Sequence, residues 1–168
     1  MYNIRKATLD DVNNIERITK LAFKLYQDEL NPDITVDALK ENEKDIINDI
    51  QNNVVYVAEE QGQLLGSIRY SLISKDIAYI YRFAVDSDIN NLGIGTDLLK
   101  AVIDDCNLKN ITALALHTNT KYFKLARYYY GKDFFVHSTT HDKGYIRALF
   151  IKELKQGIPY DISPALKK

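Results

Sequence analysis

A single cysteine, Cys106, occurs in 168 residues, which excludes an intrachain disulfide framework and any zinc site built on several thiolates. A reducing compartment fits that usage. Proline is used three times and glycine seven times, thinly spread, and no Ser, Gly or Pro tract separates two halves. One domain over residues 1–168 is therefore expected, with an irregular tail from 156 to 168. An excess of one charge is also missing: 22 Lys and Arg face 23 Asp and Glu, a formal net charge of -1. That balance lacks the surplus of cations that neutralises a phosphate backbone, so nucleic acid is not an expected partner. Nothing approaches the ~18 uninterrupted apolar residues of a membrane span. The stretch from Met1 to Arg17 mixes Arg5, Lys6, Asp10 and Asp11 among short apolar runs instead of building a signal-peptide centre. A soluble cytoplasmic chain without a membrane partner is the expectation, and its 46% of apolar side chains suffices for a continuous core.

Tyr2 to Ala7 reads as a short strand, after which Thr8 and Asp11 stand in capping-box spacing before a helix. Val12, Ile15, Ile18, Leu21, Ala22 and Leu25 recur at three- and four-residue intervals and predict one buried stripe. Asn31 and Pro32 interrupt it, and Val36, Leu39, Ile46, Ile47 and Ile50 suggest a second helix of weaker periodicity. Val54 to Ala58 and Leu64 to Leu72 flank Gln61-Gly62, the pattern of an antiparallel hairpin. A strand over Ala78 to Val85 leads through polar residues to Gly93-Ile94-Gly95, beyond which Leu98, Leu99, Val102, Ile103 and Cys106 keep helical spacing. Ile111 to Leu116 is the next strand, then a helix capped by Asn119 or Thr120 and running to about Lys132, then strands over Phe134 to Val136 and Tyr145 to Ile151. Strands that first pair locally and then alternate with helices predict a mixed sheet with helices packed on it, an α/β or α+β fold.

The chemistry concentrates where a strand, Tyr79 to Val85, passes through a loop, Asn90-Asn91-Leu92-Gly93-Ile94-Gly95-Thr96, into an amphipathic helix. The first turn of a helix carries N–H donors without intrahelical partners and the positive end of the macrodipole, and glycines let a ligand approach closely. A pyrophosphate suits such a place. A Walker P-loop is excluded because Gly95 is followed by Thr96-Asp97 and not by Lys and a hydroxyl residue. The dinucleotide fingerprint is disfavoured because Leu98 occupies its third small position and a hairpin precedes the loop. The plain alternative is a pair of glycines that merely permit a turn and helix packing.

Taken with Asn119, Ala126 and Tyr130 on the segment after the next strand, the loop resembles that of the GNAT superfamily of acyl-CoA-dependent N-acyltransferases. The resemblance runs from Ile4 through the strand near Lys152. The family's loop pattern, Gln or Arg, two residues, Gly, one residue, Gly or Ala, is met by Asn90-Asn91-Leu92-Gly93-Ile94-Gly95, with Asn90 in place of Gln or Arg. Its later pattern appears as Asn119, Ala126, Tyr130 and Phe134-Phe135, with Phe134 where the family has Gly. The resemblance implies a mostly antiparallel sheet with a splayed cofactor site and acetyl-CoA as cosubstrate. It implies that the main chain at Leu92, Gly93, Ile94, Gly95 and Thr96 holds the CoA pyrophosphate, that Phe83 and Val85 pair with the pantetheine arm, and that Asn119 contacts the cofactor. Tyr130 would lie near the thioester sulfur. A neutral amine attacks the thioester directly in a ternary complex, and a phenol, protonated at neutral pH, can hand a proton to the departing thiolate. Tyr130 is the candidate general acid; Tyr129 and Tyr128 lie about 100° and 200° away on the helix, and at least one of the three must simply pack.

Other chemistry is weaker. His137 and His141 are four apart, which suits a metal only on a helix, and no third ligand is evident, so no metal is expected. Cys106 belongs to an apolar helix stripe and reads as core. His117 ends a strand and reads as a structural histidine or a proton relay, and Glu59 and Glu60 as bases or surface charges. Lys124 and Arg127 read as a solvated helix face or as phosphate partners. The expected partner is a small-molecule or peptide amine, bordered by the Thr139 to Arg147 hairpin. A homodimer through an edge strand or the Ile158 to Leu166 tail is set against a loosely docked terminus. The rival function is a non-catalytic acyl-CoA-binding or regulatory module of the same fold.

Overall fold

The computed structural model describes residues 1–30, 33, 35–87 and 93–168. The interruption expected at Asn31 and Pro32, and the loop residues Asn90, Asn91 and Leu92, lie outside the described residues. Strand order is β1-β2-β3-β4-β5-β7-β6, with β1 at Asn3–Lys6, β2 at Val54–Glu60, β3 at Gln63–Leu72, β4 at Ile77–Val85, β5 at Ala113–Asn119, β6 at Phe135–Thr140 and β7 at Arg147–Glu153. The β1-β2, β2-β3, β5-β7 and β6-β7 pairs are antiparallel and β4-β5 is parallel, so the sheet is mixed and mostly antiparallel, as expected. The chain divides into two units: Met1–Tyr70 with Arg82–Asp104, and Ser71–Tyr81 with Asp105–Lys168.

In the first unit the Asp11 carboxylate accepts from the Thr8 amide at 2.8 Å, but the box opens a 3₁₀ turn, Leu9–Asp11, before α1 (Val12–Leu30) begins. Val12, Ile15 and Ile18 are buried, with Ala22 and Phe23 packed on the same cluster. Leu21 and Leu25 are about half exposed instead, because the stripe continues through Thr19, Ala22 and Phe23 and carries those two leucines to its flank. The weak second helix resolves into a 3₁₀ turn, Asp37–Lys40, and α2 (Glu43–Asn52), whose cap is Asn42: its side chain accepts from the Lys44 amide at 2.9 Å and Asp45 accepts from the Asn42 amide at 3.0 Å. Ile46, Val55, Val57, Leu64 and Ala84 complete the cluster. Gln61 (φ 51°) and Gly62 (φ 81°) are both left-handed, the combination that a two-residue hairpin turn requires. At Gly66 the helix α3 (Ile94–Leu108) comes so near that an added Cβ would stand 3.0 Å from a Leu98 methyl and 3.1 Å from the Ala84 carbonyl oxygen.

In the second unit, Ile77, Ala113, Ala115, Leu149 and Ile151 form a fully buried cluster that Ala165 enters. The tail is therefore not irregular throughout: Ser163–Leu166 form a short helix, α5, with Pro164 in its first turn, because burying Ala165, Ile162 and Tyr160 against the sheet orders it. Strand β5 begins two residues later than the sequence suggests and extends to Asn119. Helix α4 (Phe123–Tyr130) starts after Tyr122 and not at Asn119, whose carbonyl accepts from the Tyr122 amide at 3.1 Å and whose side chain accepts from the Lys121 amide at 2.9 Å. Asn119 thus builds the turn into the helix without capping it. Cys106 is buried, as its stripe requires. No described helix is long and apolar enough to cross a membrane.

Candidate functional site

In the first unit, Gly93 takes φ +77° immediately before α3, a conformation that a Cβ disfavours. Its carbonyl accepts the Asp97 amide at 3.0 Å, so the amides of Ile94, Gly95 and Thr96, one turn ahead, have no intrahelical acceptor. Among the described residues, a Cβ added at Gly93 would meet only the Tyr2 hydroxyl, at 3.9 Å. The Tyr2 hydroxyl donates to Asp97 at 2.5 Å, and this bond, helped by slight burial, raises the phenol above its ordinary pKa. The acidic residue of the first turn thereby has a fixed partner.

Phe83 and Val85 stand at the end of β4, half-buried like Tyr79 and Tyr81, while Ala78, Ile80 and Ala84 are buried. Arg82, between Tyr81 and Phe83, has φ +49°, a left-handed residue inside the strand. Arg82 Nε donates to Glu41 at 3.1 Å. Both Glu41 oxygens accept from Arg69, each at 2.8 Å, and Arg69 also donates to Asp49 at 2.9 Å. Arg69 is fully buried. Burial alone would lower its pKa, but the hydrogen bonds and charge of Glu41 and Asp49 outweigh this and the net shift is upward. Nothing in the sequence flagged this group, because an arginine between Ile68 and Tyr70 reads as the solvent side of a strand.

In the second unit the β4-β5 register runs from Ile77 opposite Ala113 to Tyr79 opposite Ala115, and β5 continues to Asn119. Asn119 is buried at its end. Of the three consecutive tyrosines, Tyr129 is the packing member, 5% exposed, with ring centroids 5.5 Å from Phe134 and 5.6 Å from Phe150. Tyr130 is 56% exposed and meets Phe150 edge-on at 5.5 Å, which holds the ring while leaving it accessible. Its position is the last residue of α4. His117 shares a hydrogen bond of 2.9 Å between Nδ1 and the Tyr79 hydroxyl, and Nε2 is buried without a partner among the described residues. Burial pushes its pKa down to about 4, with the Arg147 charge acting in the same direction and Asp142 opposing it. His137 lies on β6 with Nδ1 3.1 Å from the Ser138 hydroxyl.

Gly93 and Gly95 of the loop pattern thus stand at the entry and in the first turn of α3. Residues 17–134 match the Acetyltransferase (GNAT) family. The chain belongs to the GNAT acetyltransferase family. Several solved structures share the GNAT fold seen here. The PaiA N-acetyltransferase from Thermoplasma acidophilum, in complex with coenzyme A, is 16% identical over 91% of this chain and 99% of its own, with a TM-score of 0.79. The ribosomal-protein-S18-alanine N-acetyltransferase from Escherichia coli is 15% identical over 95% and 100%, with a TM-score of 0.73. An N-acetyltransferase from Staphylococcus aureus Mu50 is 18% identical over 92% and 99%, with a TM-score of 0.74. No curated protein matches the chain by sequence.

Proposed function

We propose that the chain is an acetyl-CoA-dependent N-acetyltransferase that moves the acetyl group to a primary amine by direct attack in a ternary complex. Residues 1–168 then act as one acetyltransferase domain. The observation that carries the reading is the left-handed Gly93 at the open first turn of α3, in a chain of the GNAT family. A diphosphate needs several N–H donors converging from backbone that no side chain shields, and the amides of Ile94, Gly95 and Thr96 meet that need. Leu92, Phe83, Val85 and Asn119 are assigned to the same cofactor, the middle two through main-chain pairing with its pantetheine arm.

The cosubstrate supplies an activated acyl carbonyl. The protein's work is to hold the amine and carbonyl together, which can replace much of the entropic cost of a bimolecular encounter, and to protonate the leaving group. As the amine nitrogen bonds to the carbonyl carbon, charge moves to the oxygen. When the carbon–sulfur bond breaks, the Tyr130 hydroxyl gives its proton to sulfur, and the amine's surplus proton passes through solvent to the phenolate, restoring the phenol. The exposure of Tyr130 suits this exchange, whereas Tyr129, packed among three rings, could not reach a ligand.

The test pairs binding with turnover. Calorimetry should show CoA binding that weakens at least tenfold in Gly93→Val, because a β-branched residue resists the left-handed conformation. Thiol release across an amine panel should fall by about 10² to 10⁴ in Tyr130→Phe, the range for loss of a general acid. Unchanged CoA affinity in the glycine variant contradicts the cradle; an unchanged rate in the phenylalanine variant removes Tyr130 from the acid role. CoA binding without turnover on any amine would favour the non-catalytic module.

A further inference from the structure

We propose that Arg82 reads a carboxylate on the acceptor, so that the favoured substrates are amines that also carry a carboxyl group, such as amino acids or peptides with an accessible carboxylate. This deepens the acetyl-transfer reading and rests on it for the identity of the acceptor.

The first observation is the backbone. Arg82 holds φ +49° in the middle of a nine-residue strand. A side chain with a Cβ tolerates that region poorly, and such residues persist where the surrounding structure holds them to a purpose. The effect of the turn is to bring the Arg82 guanidinium to Glu41.

The second observation is how the guanidinium is held. Nε donates to Glu41 Oε1 at 3.1 Å. Glu41 is itself immobilised: Arg69 grips both of its oxygens at 2.8 Å, and Arg69 is further tied to Asp49 at 2.9 Å. A buried carboxylate with both oxygens already engaged anchors Arg82 at one point only. Among the described residues the Arg82 side chain has no other hydrogen bond or ion pair, so the four N–H groups of Nη1 and Nη2 are uncommitted. The side chain is 25% exposed, whereas Arg69 is fully buried and donates through its Nη nitrogens to two carboxylates. The two arginines of this cluster therefore do different work. Arg69 neutralises Glu41 and Asp49, and Arg82 keeps an oriented, partly exposed fork.

The third observation is position. Arg82 directly precedes Phe83, which the proposed mechanism gives to the pantetheine arm. An acceptor group bound by the guanidinium would thus be held by the residue next to Phe83 on the same strand. A planar fork with both Nη nitrogens open matches a carboxylate through two parallel N–H···O bonds, and it repels the second cationic group of a polyamine. Glu41 cannot attract that cation, since its side chain is only 6% exposed and fully engaged.

The test uses amine pairs that differ only in the carboxyl group: lysine and cadaverine, arginine and agmatine, tyrosine and tyramine. A peptide free acid and its C-terminal amide distinguish a peptide from an amino acid as the source. With the wild-type protein and acetyl-CoA, kcat/KM should favour the carboxylated member at least tenfold, mainly through KM. Arg82→Asn, which accepts a left-handed backbone without the charge, should reduce that ratio at least tenfold, and Arg82→Lys should leave an intermediate ratio. In parallel, side-chain ¹⁵N resonances of arginine-labelled wild-type protein with CoA bound should include one guanidinium that shifts on titration with the carboxylated member alone, and that resonance should be absent in Arg82→Asn. Equal kcat/KM within each pair, a preference for the diamines, or a ratio that survives Arg82→Asn would overturn the proposal. Absence of turnover with every amine would count against acetyl transfer, and the resonance titration then decides the carboxylate site on its own: a selective shift supports it and no shift overturns it.

Discussion

Replacing Arg69 with methionine tests whether the buried ion cluster of the first unit is held together by charge. The methionine fills much of the same volume without a donor, and it strips Glu41 of both its 2.8 Å bonds and Asp49 of its 2.9 Å bond. Glu41 keeps only the single bond from Arg82. Breaking a buried pair by removing one partner costs about 3–5 kcal/mol, because the remaining carboxylates are stranded away from water. Arg69 Nε has no partner among the described residues, so the wild type already carries an unmet donor worth about 1–3 kcal/mol, which places the expected loss near the lower bound, at about 3 kcal/mol. A chain of 168 residues has an unfolding entropy of about 350 cal/mol/K at roughly 2.1 cal/mol/K per residue, so Tm should fall by about 8–9 °C. Calorimetry and urea denaturation measure this directly. The triple variant Arg69→Met, Glu41→Gln, Asp49→Asn removes the stranded charges with the arginine and should recover at least half of the loss. A single variant that loses less than about 1 kcal/mol, or a triple variant no more stable than the single, would refute the reasoning.

Two further outcomes follow from the geometry. His117 is held neutral in the folded chain, with a pKa pushed down to about 4 from 6.5, chiefly by burial. The unfolded chain takes up its proton first as pH falls, so this residue's stabilisation is complete above pH 6.5 and is lost as pH falls toward about 4. Urea midpoints between pH 8 and 4.5 should decline below pH 6.5, and His117→Gln should flatten that decline; an equal slope in the variant would dismiss His117 as its source. Asp142 is held down to about 2 by the Thr140 hydroxyl and then by Arg147, so its contribution is present above pH 3.8 and is lost only as pH falls toward about 2, outside this range. Gly66→Ala puts a methyl 3.1 Å from the Ala84 carbonyl and 3.0 Å from Leu98, and should cost about 1–3 kcal/mol by overpacking. A gain in stability would show that α3 can move away from β3.

Much of the fold was legible because it depends on near neighbours in the chain. Gln61-Gly62 marks the hairpin turn, since two successive left-handed residues are needed there, and Thr8 and Asp11 close a box within four residues. The stripe of Leu98, Leu99, Val102 and Cys106 is buried as its period predicts. Of the site, the glycine loop was legible because a left-handed φ and an open helix terminus leave a local signature. The choice among Tyr128, Tyr129 and Tyr130 was only half legible: helical geometry requires that one pack, but only Phe134 and Phe150, arriving from later in the chain, make Tyr129 the one. The tail was misread for the same reason, since Ala165 gains order from Ile77, Ala113 and Leu149 and not from its own neighbours.

Local backbone and periodicity thus determined the strands, the turns and the glycine entry to α3, because those properties follow from which residues can adopt which φ and ψ. The roles of Arg69, Arg82 and His117 were decided by tertiary structure alone. A charge is defined by what surrounds it, and the partners of Arg69 come from positions 19, 41 and 49, far along the chain. Only folding brings those groups within hydrogen-bonding distance, burying one arginine completely and leaving the other with an open fork.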